Sequence, residues 1–174
     1  MPTARPDRIV GRMPSTERDQ EPAVGRLTGA STEEGPALRD ATAAAARAEA
    51  DEREALAARE RLRDEPLGSR EPDAEVKRHL GPGEVVHDLR YSAILRPPGD
   101  RALGYGGTLY LTSHRLIHIG QVTVNVQLSD IVETALAGER ILITLRNGEG
   151  LSVDLDRPRV LRTEIAAALR GLRQ

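Results

Sequence analysis

From Glu84 onward, apolar and polar residues alternate in short runs separated by turn-forming residues. A period of two places alternate side chains on one face of a strand. In residues 84–95, Val85, His87, Leu89, Tyr91, Ala93 and Leu95 would share a face, leaving Asp88 to meet solvent. Leu109 and Leu111 point inward from 107–112, and "RLIHI" is the next strand. Val122, Val124, Val126 and Leu128 alternate cleanly, 131–137 reads as a strand, and Ile141, Ile143 and Leu145 precede Leu151, Val153 and Leu155. The Asn147-Gly148 pair between these last two runs predicts a type I′ hairpin. The chain then changes period. Leu161, Ile165, Ala168 and Leu172 form a helical stripe behind Pro158, with Asp156 or a neighbour as cap. Seven short antiparallel strands closed by one amphipathic helix predict a mainly β domain, a small bent sheet or barrel.

The first 75 residues follow another pattern. Residues 1–36 scatter five prolines among Gly and Thr without periodicity, a composition that predicts disorder; Met13 is an alternative start. Residues 37–65 are rich in Ala, Glu and Arg and predict a helix supported by pairs such as Arg47–Asp51 and Glu49–Arg53. Its 3-4 seam (Leu38, Ala41, Ala45, Ala48, Glu52, Ala55, Arg59, Leu62) is mostly alanine, with two charges. A coiled coil needs larger apolar residues there. Two readings stand: a solvated single helix, or a weak oligomerising or partner-binding helix. Pro66, Gly68 and Pro72 make 66–75 the expected linker, and "DAEVKRHL" a short helix stopped by Gly81-Pro82-Gly83.

Composition constrains the core. With no Phe, no Trp and three Tyr, it must be aliphatic. Arg outnumbers Lys 24 to one, a bias that fits high-GC bacterial coding as well as it fits anion recognition. Residues 1–75 carry 12 Arg against 17 acids, and 76–174 carry 13 basic residues against 10 acids. Without cysteine there is no thiolate or disulfide chemistry. No apolar run reaches the ~18 residues of a membrane span and no signal-peptide core is visible, so the expectation is a cytoplasmic protein.

"LGPGEVV" at the first strand, "GTLYLTSHRLIHI" across a turn (Gly107 to Leu116 as G-x-L-x-L-T-x-x-R-L) and "VQLSDI" resemble the GRAM and bacterial PH-like domains, over residues 76–173. The resemblance implies a PH-like fold, local hydrogen bonding by Thr112 and Arg115 in the hairpin turn, and a headgroup-facing loop after the first strand. The final helix lacks the Trp usual in eukaryotic PH domains.

Candidate chemistry is sparse. His114 and His118 have the i,i+4 spacing of a helical zinc site, but along a strand four residues span ~13 Å, so a turn and a strand role are expected instead. "GYGGT" (104–108) lacks the following helix a phosphate loop requires and predicts close backbone approach. No nucleophile–base set and no carboxylate in an apolar setting is evident, so an enzyme, a metal site and a cofactor are not expected. A basic stripe with interleaved aromatics, as for nucleic acid, is missing. What remains is binding. Arg90, Arg96 and Arg101, on the first strand and in the loop "LRPPGDRALGYG", are the candidate ligand-binding residues. Arg157, Arg159, Arg162, Arg170 and Arg173 read as the wet face of the final helix and its dipole complement. The expected function is a protein-interaction adaptor. The alternative is a peripheral membrane module reading anionic headgroups, and oligomerisation through 37–65 is open in either case.

Overall fold

The computed structural model describes residues 36–97 and 104–173. Residues 1–35 of the segment expected to be disordered, and Arg101, lie outside the described residues. A 29-residue helix, α1 (Pro36–Asp64), leads through a short helix α2 (Ala74–Lys77) into seven strands. These are β1 (Val86–Arg96), β2 (Tyr105–Thr112), β3 (Arg115–Gly120), β4 (Val124–Gln127), β5 (Ile131–Ala137), β6 (Arg140–Leu145) and β7 (Gly150–Asp154). They form one antiparallel sheet in the order β4-β3-β2-β1-β7-β6-β5, and the 3₁₀ turn Leu128–Asp130 carries the chain from one edge strand to the other. The closing helix, α3 (Pro158–Gly171), packs Leu161, Ile165 and Ala168 onto the main core. The expected mainly β architecture with a closing helix is the one the chain adopts.

The main core is aliphatic, but the second cluster holds the aromatic Tyr110, against the expectation of a wholly aliphatic core. Leu95, Leu109, Leu111, Leu116, Leu128, Ile141, Ile143 and Val153 are buried together. Because β2 and β3 are covered on both faces, Tyr110 and Ile117 form a second cluster with Val76 and Val86 on the other side. Leu116 and Ile117 therefore both bury, in different clusters.

The inward phase of β1 differs from the expected one. Val86 and Asp88 are buried whereas Val85 and Tyr91 are exposed, and only from Ala93 and Leu95 does the predicted set point inward. Register shifts at Val86/Asp88 and Arg90/Ala93 account for this. At the second, Ser92 adopts φ 57, a left-handed conformation that side chains rarely take. A bulge inserts one residue, and one residue exchanges the faces.

Two turns differ from expectation in detail. Between β6 and β7 only Gly148 has positive φ, and its N–H donates to the Leu145 carbonyl at 2.9 Å. This is a type I turn closed by a left-handed glycine, since Asn147 does not take the positive φ that type I′ requires. In the "GYGGT" stretch, a Cβ on Gly107 would meet the Ile119 carbonyl oxygen and one on Gly120 the Gly106 carbonyl. The glycines permit close strand approach, as expected.

Candidate functional site

Of the expected ligand-binding residues, Arg90 and Arg96 lie among the described residues, on opposite faces of β1. Arg90 sits on the core-facing side of β1, its side chain 10% exposed, between two carboxylates. Its Nη2 donates to Glu164 Oε2 of α3 at 3.0 Å. Asp88 Oδ2 lies 2.9 Å away, near enough for charge pairing but without hydrogen-bond alignment. Arg70 Nε stands 3.8 Å from the other Asp88 oxygen. Burial, then the Asp88 charge, push the Glu164 carboxyl up to about 7, against the pull of Arg90. Asp88, expected to face solvent, is thus buried, and Glu164 is a carboxylate in an apolar setting that the sequence reading did not find. Arg96, beyond the bulge and on the opposite face, donates from Nε to Asp154 Oδ2 at 2.9 Å. Arg140 holds the same carboxylate from its other side. Hydrogen bonding from Arg140 keeps Asp154 below the usual carboxylate range.

The hairpin turn behaves as the resemblance implies. Thr112 Oγ1 accepts from the backbone N–H groups of Arg115 (3.0 Å) and His114 (3.2 Å) and donates to Glu84 Oε1 at 2.6 Å. Arg115 donates to both oxygens of Glu84, from Nε at 3.0 Å and from Nη2 at 2.8 Å, and also to the His79 carbonyl. Burial opposes ionisation of Glu84, but these donors and the Gly81 N–H outweigh it and bring the carboxyl down to about 2. His114 is exposed in the turn, and His118 is buried in β3 over Gly107. No group of three or more His, Asp or Glu able to hold a metal occurs among the described residues.

A second set of directed contacts is at α3, where only solvated charges were expected. As an isolated helix, α3 begins badly. Its N-cap, Arg157, is left-handed and gives no side-chain cap, and its first turn has no acidic residue. Arg157 and Arg159 stand at the positive end of the helix dipole, where cations are unfavourable. The missing groups come from α1. Asp51, 3% exposed, accepts from Arg159 N–H at 3.0 Å and from Val160 N–H at 3.2 Å, capping α3 from 108 residues away. Asp156 does not serve as the cap. Around it, Arg159 pairs with Glu52 (2.9 Å) and Arg157 with Glu54 (2.9 Å), and Arg170 donates to the Leu62 carbonyl at 3.1 Å.

Ala55, Ala58 and Leu62 are the other buried side chains of α1. The helix is therefore neither solvated all round nor free. Its buried face runs through Asp51 and Ala58, one position from the Glu52 and Arg59 of the expected seam. Arg47 pairs with Glu139 at 3.0 Å, not with Asp51. The expected linker is hydrogen-bonded to β1, with Arg70 N–H donating to the Val86 carbonyl at 2.7 Å. A cavity of about 340 Å³ opens beside the clasp, lined by Arg47, Asp51, Ser92, Glu139, Arg157 and Arg159.

No protein-family model matches the chain, and no curated protein matches it. Among solved structures it is similar to the C-terminal domain of an unknown protein from Leishmania infantum, with 13% identity, 52% of this chain and 84% of that one covered, and a TM-score of 0.38. It is also similar to the pleckstrin homology (PH) domain of USP37, with 15% identity, 48% and 96% covered, and a TM-score of 0.36. The fold class rests on the strand order and the closing helix, not on these overlaps. The seven-stranded antiparallel sheet and its closing helix give a PH-like architecture, with an additional N-terminal helix clasped to the closing helix. No helix among the described residues is long and apolar enough to cross a membrane.

Proposed function

We propose that the chain is a non-enzymatic protein-interaction adaptor built on a GRAM-like variant of the PH-like fold. The observation that carries this reading is the internal pairing of Arg90 and Arg96. An anionic headgroup would have to displace Glu164 and Asp88 from the one and Asp154 from the other. Breaking the Arg90 pairs leaves desolvated carboxylates behind, a cost that a loop charge worth ~1 kcal/mol at a membrane surface does not offset, and Arg96 would have to leave a carboxylate it shares with Arg140. The α1–α3 clasp adds that one face of the domain recognises a helix through backbone and side-chain contacts.

The test is co-sedimentation of the full chain with neutral and with anionic vesicles at low salt, comparing wild type with Arg96→Ala/Arg101→Ala. The adaptor reading expects no pelleting beyond background in either. Salt-sensitive pelleting of wild type with anionic vesicles, lost in the double variant, would replace it with membrane recognition.

A further inference from the structure

We propose that the face of α3 covered by α1 is a docking site for an acidic, alanine-rich helix of a partner protein, and that α1 is its internal, displaceable occupant. The inference deepens the adaptor reading by naming the partner's chemistry and the mechanism of access. It starts from what α3 lacks. A helix with its own cap and a first-turn acid has little use for a carboxylate from elsewhere. This helix has neither, and although Asp156 stands 3.4 Å from Arg157, Arg159 draws its acids, Asp51 and Glu52, from α1. The site is built to be completed from outside itself.

The occupant shows what fits. Read along α1, the contacting pattern is D-E-x-E-A-x-x-A-x-x-x-L from Asp51 to Leu62. The carboxylate of Asp51 caps, Glu52 and Glu54 pair with the arginines, and two alanines let the helix axes approach. Any helix carrying that pattern meets the same donors. Positive charge on α3 and two helix N–H groups select an acidic partner over a basic or neutral one.

The occupant is also held in a way that permits exchange. Its only large buried apolar side chain is Leu62. The Arg157–Glu54 pair is 44% and 50% exposed, so salt screens it. Contacts of this kind open below the global unfolding free energy. The α1 sequence, rich in Ala, Glu and Arg, retains helix propensity once released.

The probe is a fluorescently labelled synthetic peptide of residues 46–65, titrated with full-length chains and read by anisotropy. Wild type, its site filled in cis, should not bind measurably. Asp51→Ala/Glu54→Ala, which weakens the cis helix, uncaps α3 and leaves its sequence unchanged, should bind, less tightly as salt rises. Adding Arg157→Ala/Arg159→Ala to that variant should weaken binding about tenfold or more.

Amide exchange accompanies each titration, to show α1 deprotected and the sheet intact. If the double variant unfolds, Leu62→Ala provides release without touching the cap. Three results overturn the proposal: a released chain with intact sheet that ignores the peptide, α1 protection unchanged in the double variant and in Leu62→Ala, or a released chain that dimerises and so places a second copy on the face. Vesicle binding by wild type would sink the adaptor reading and leave the peptide result standing, so the two failures are distinguishable.

Discussion

Glu164 links the closing helix to pH. Its carboxylate faces Asp88 and Arg90 of β1, with the charge of Arg61 of α1 nearby. Burial and the Asp88 charge hold its pKa near 7 in the fold, above the value an unfolded chain gives. Raised in the folded state, it stabilises the fold fully below the unfolded pKa, and that contribution is lost as pH rises through about 7. The displacement corresponds to about 3 kcal/mol at 1.36 kcal/mol per pH unit.

Glu164→Gln keeps an acceptor for Arg90 and removes the titration. Urea unfolding followed by circular dichroism between pH 5 and pH 8 should show wild-type stability falling relative to the variant over this range. The variant should exceed wild type by about 1 kcal/mol at pH 5 and by about 3 kcal/mol at pH 8. Identical pH slopes for the two proteins would show that Glu164 ionises as freely in the fold as outside it, and would refute the reasoning.

Glu84 runs in the opposite direction. Its pKa is lowered in the fold, so its contribution is present above the unfolded value and is lost as pH falls toward 2. Glu84→Gln should cost about 3 kcal/mol at neutral pH by chemical denaturation and flatten the acid limb of the stability profile. Ser92→Gly should stabilise by about 1 kcal/mol, since glycine takes positive φ without the Cβ penalty; an unchanged thermal midpoint would show that the bulge is relaxed.

Much of the fold was legible because the core is the part of the sequence with a single physical demand. From β2 to β7 the main core is supplied by aliphatic residues that alternation alone locates, Leu109 and Leu111, Val124 and Val126, Ile141 and Ile143, whereas the buried Tyr110 and His118 break the rule. The Thr112–Arg115 turn was legible through the family resemblance, since its hydrogen bonds are local. β1 was half-read. Alternation carries no mark of an inserted residue, and Ser92 is not the glycine that would have flagged a left-handed bulge.

Arg90 was misplaced for a related reason. Alternation that put Val85, His87 and Leu89 inward put the even positions outward, yet Asp88 and Arg90, two apart on one face, are also what a buried ion pair looks like along a strand. A second signal was present in the closing helix: Glu164 falls three after Leu161 and four before Ala168, within the stripe that must face the sheet. A charge inside an apolar stripe needs a partner across the interface, and the inward pair on β1 supplies it. The clasp left a comparable trace. An acidic Asp51-Glu52-x-Glu54 stretch and a basic Arg157-x-Arg159 stretch are complementary, but each also passes as an ordinary solvated face. What separates the two readings is local insufficiency. Asp156 stands at the start of α3 but pairs with Arg157 without capping the first turn, and a start left uncapped in this way takes its carboxylate from elsewhere in the fold.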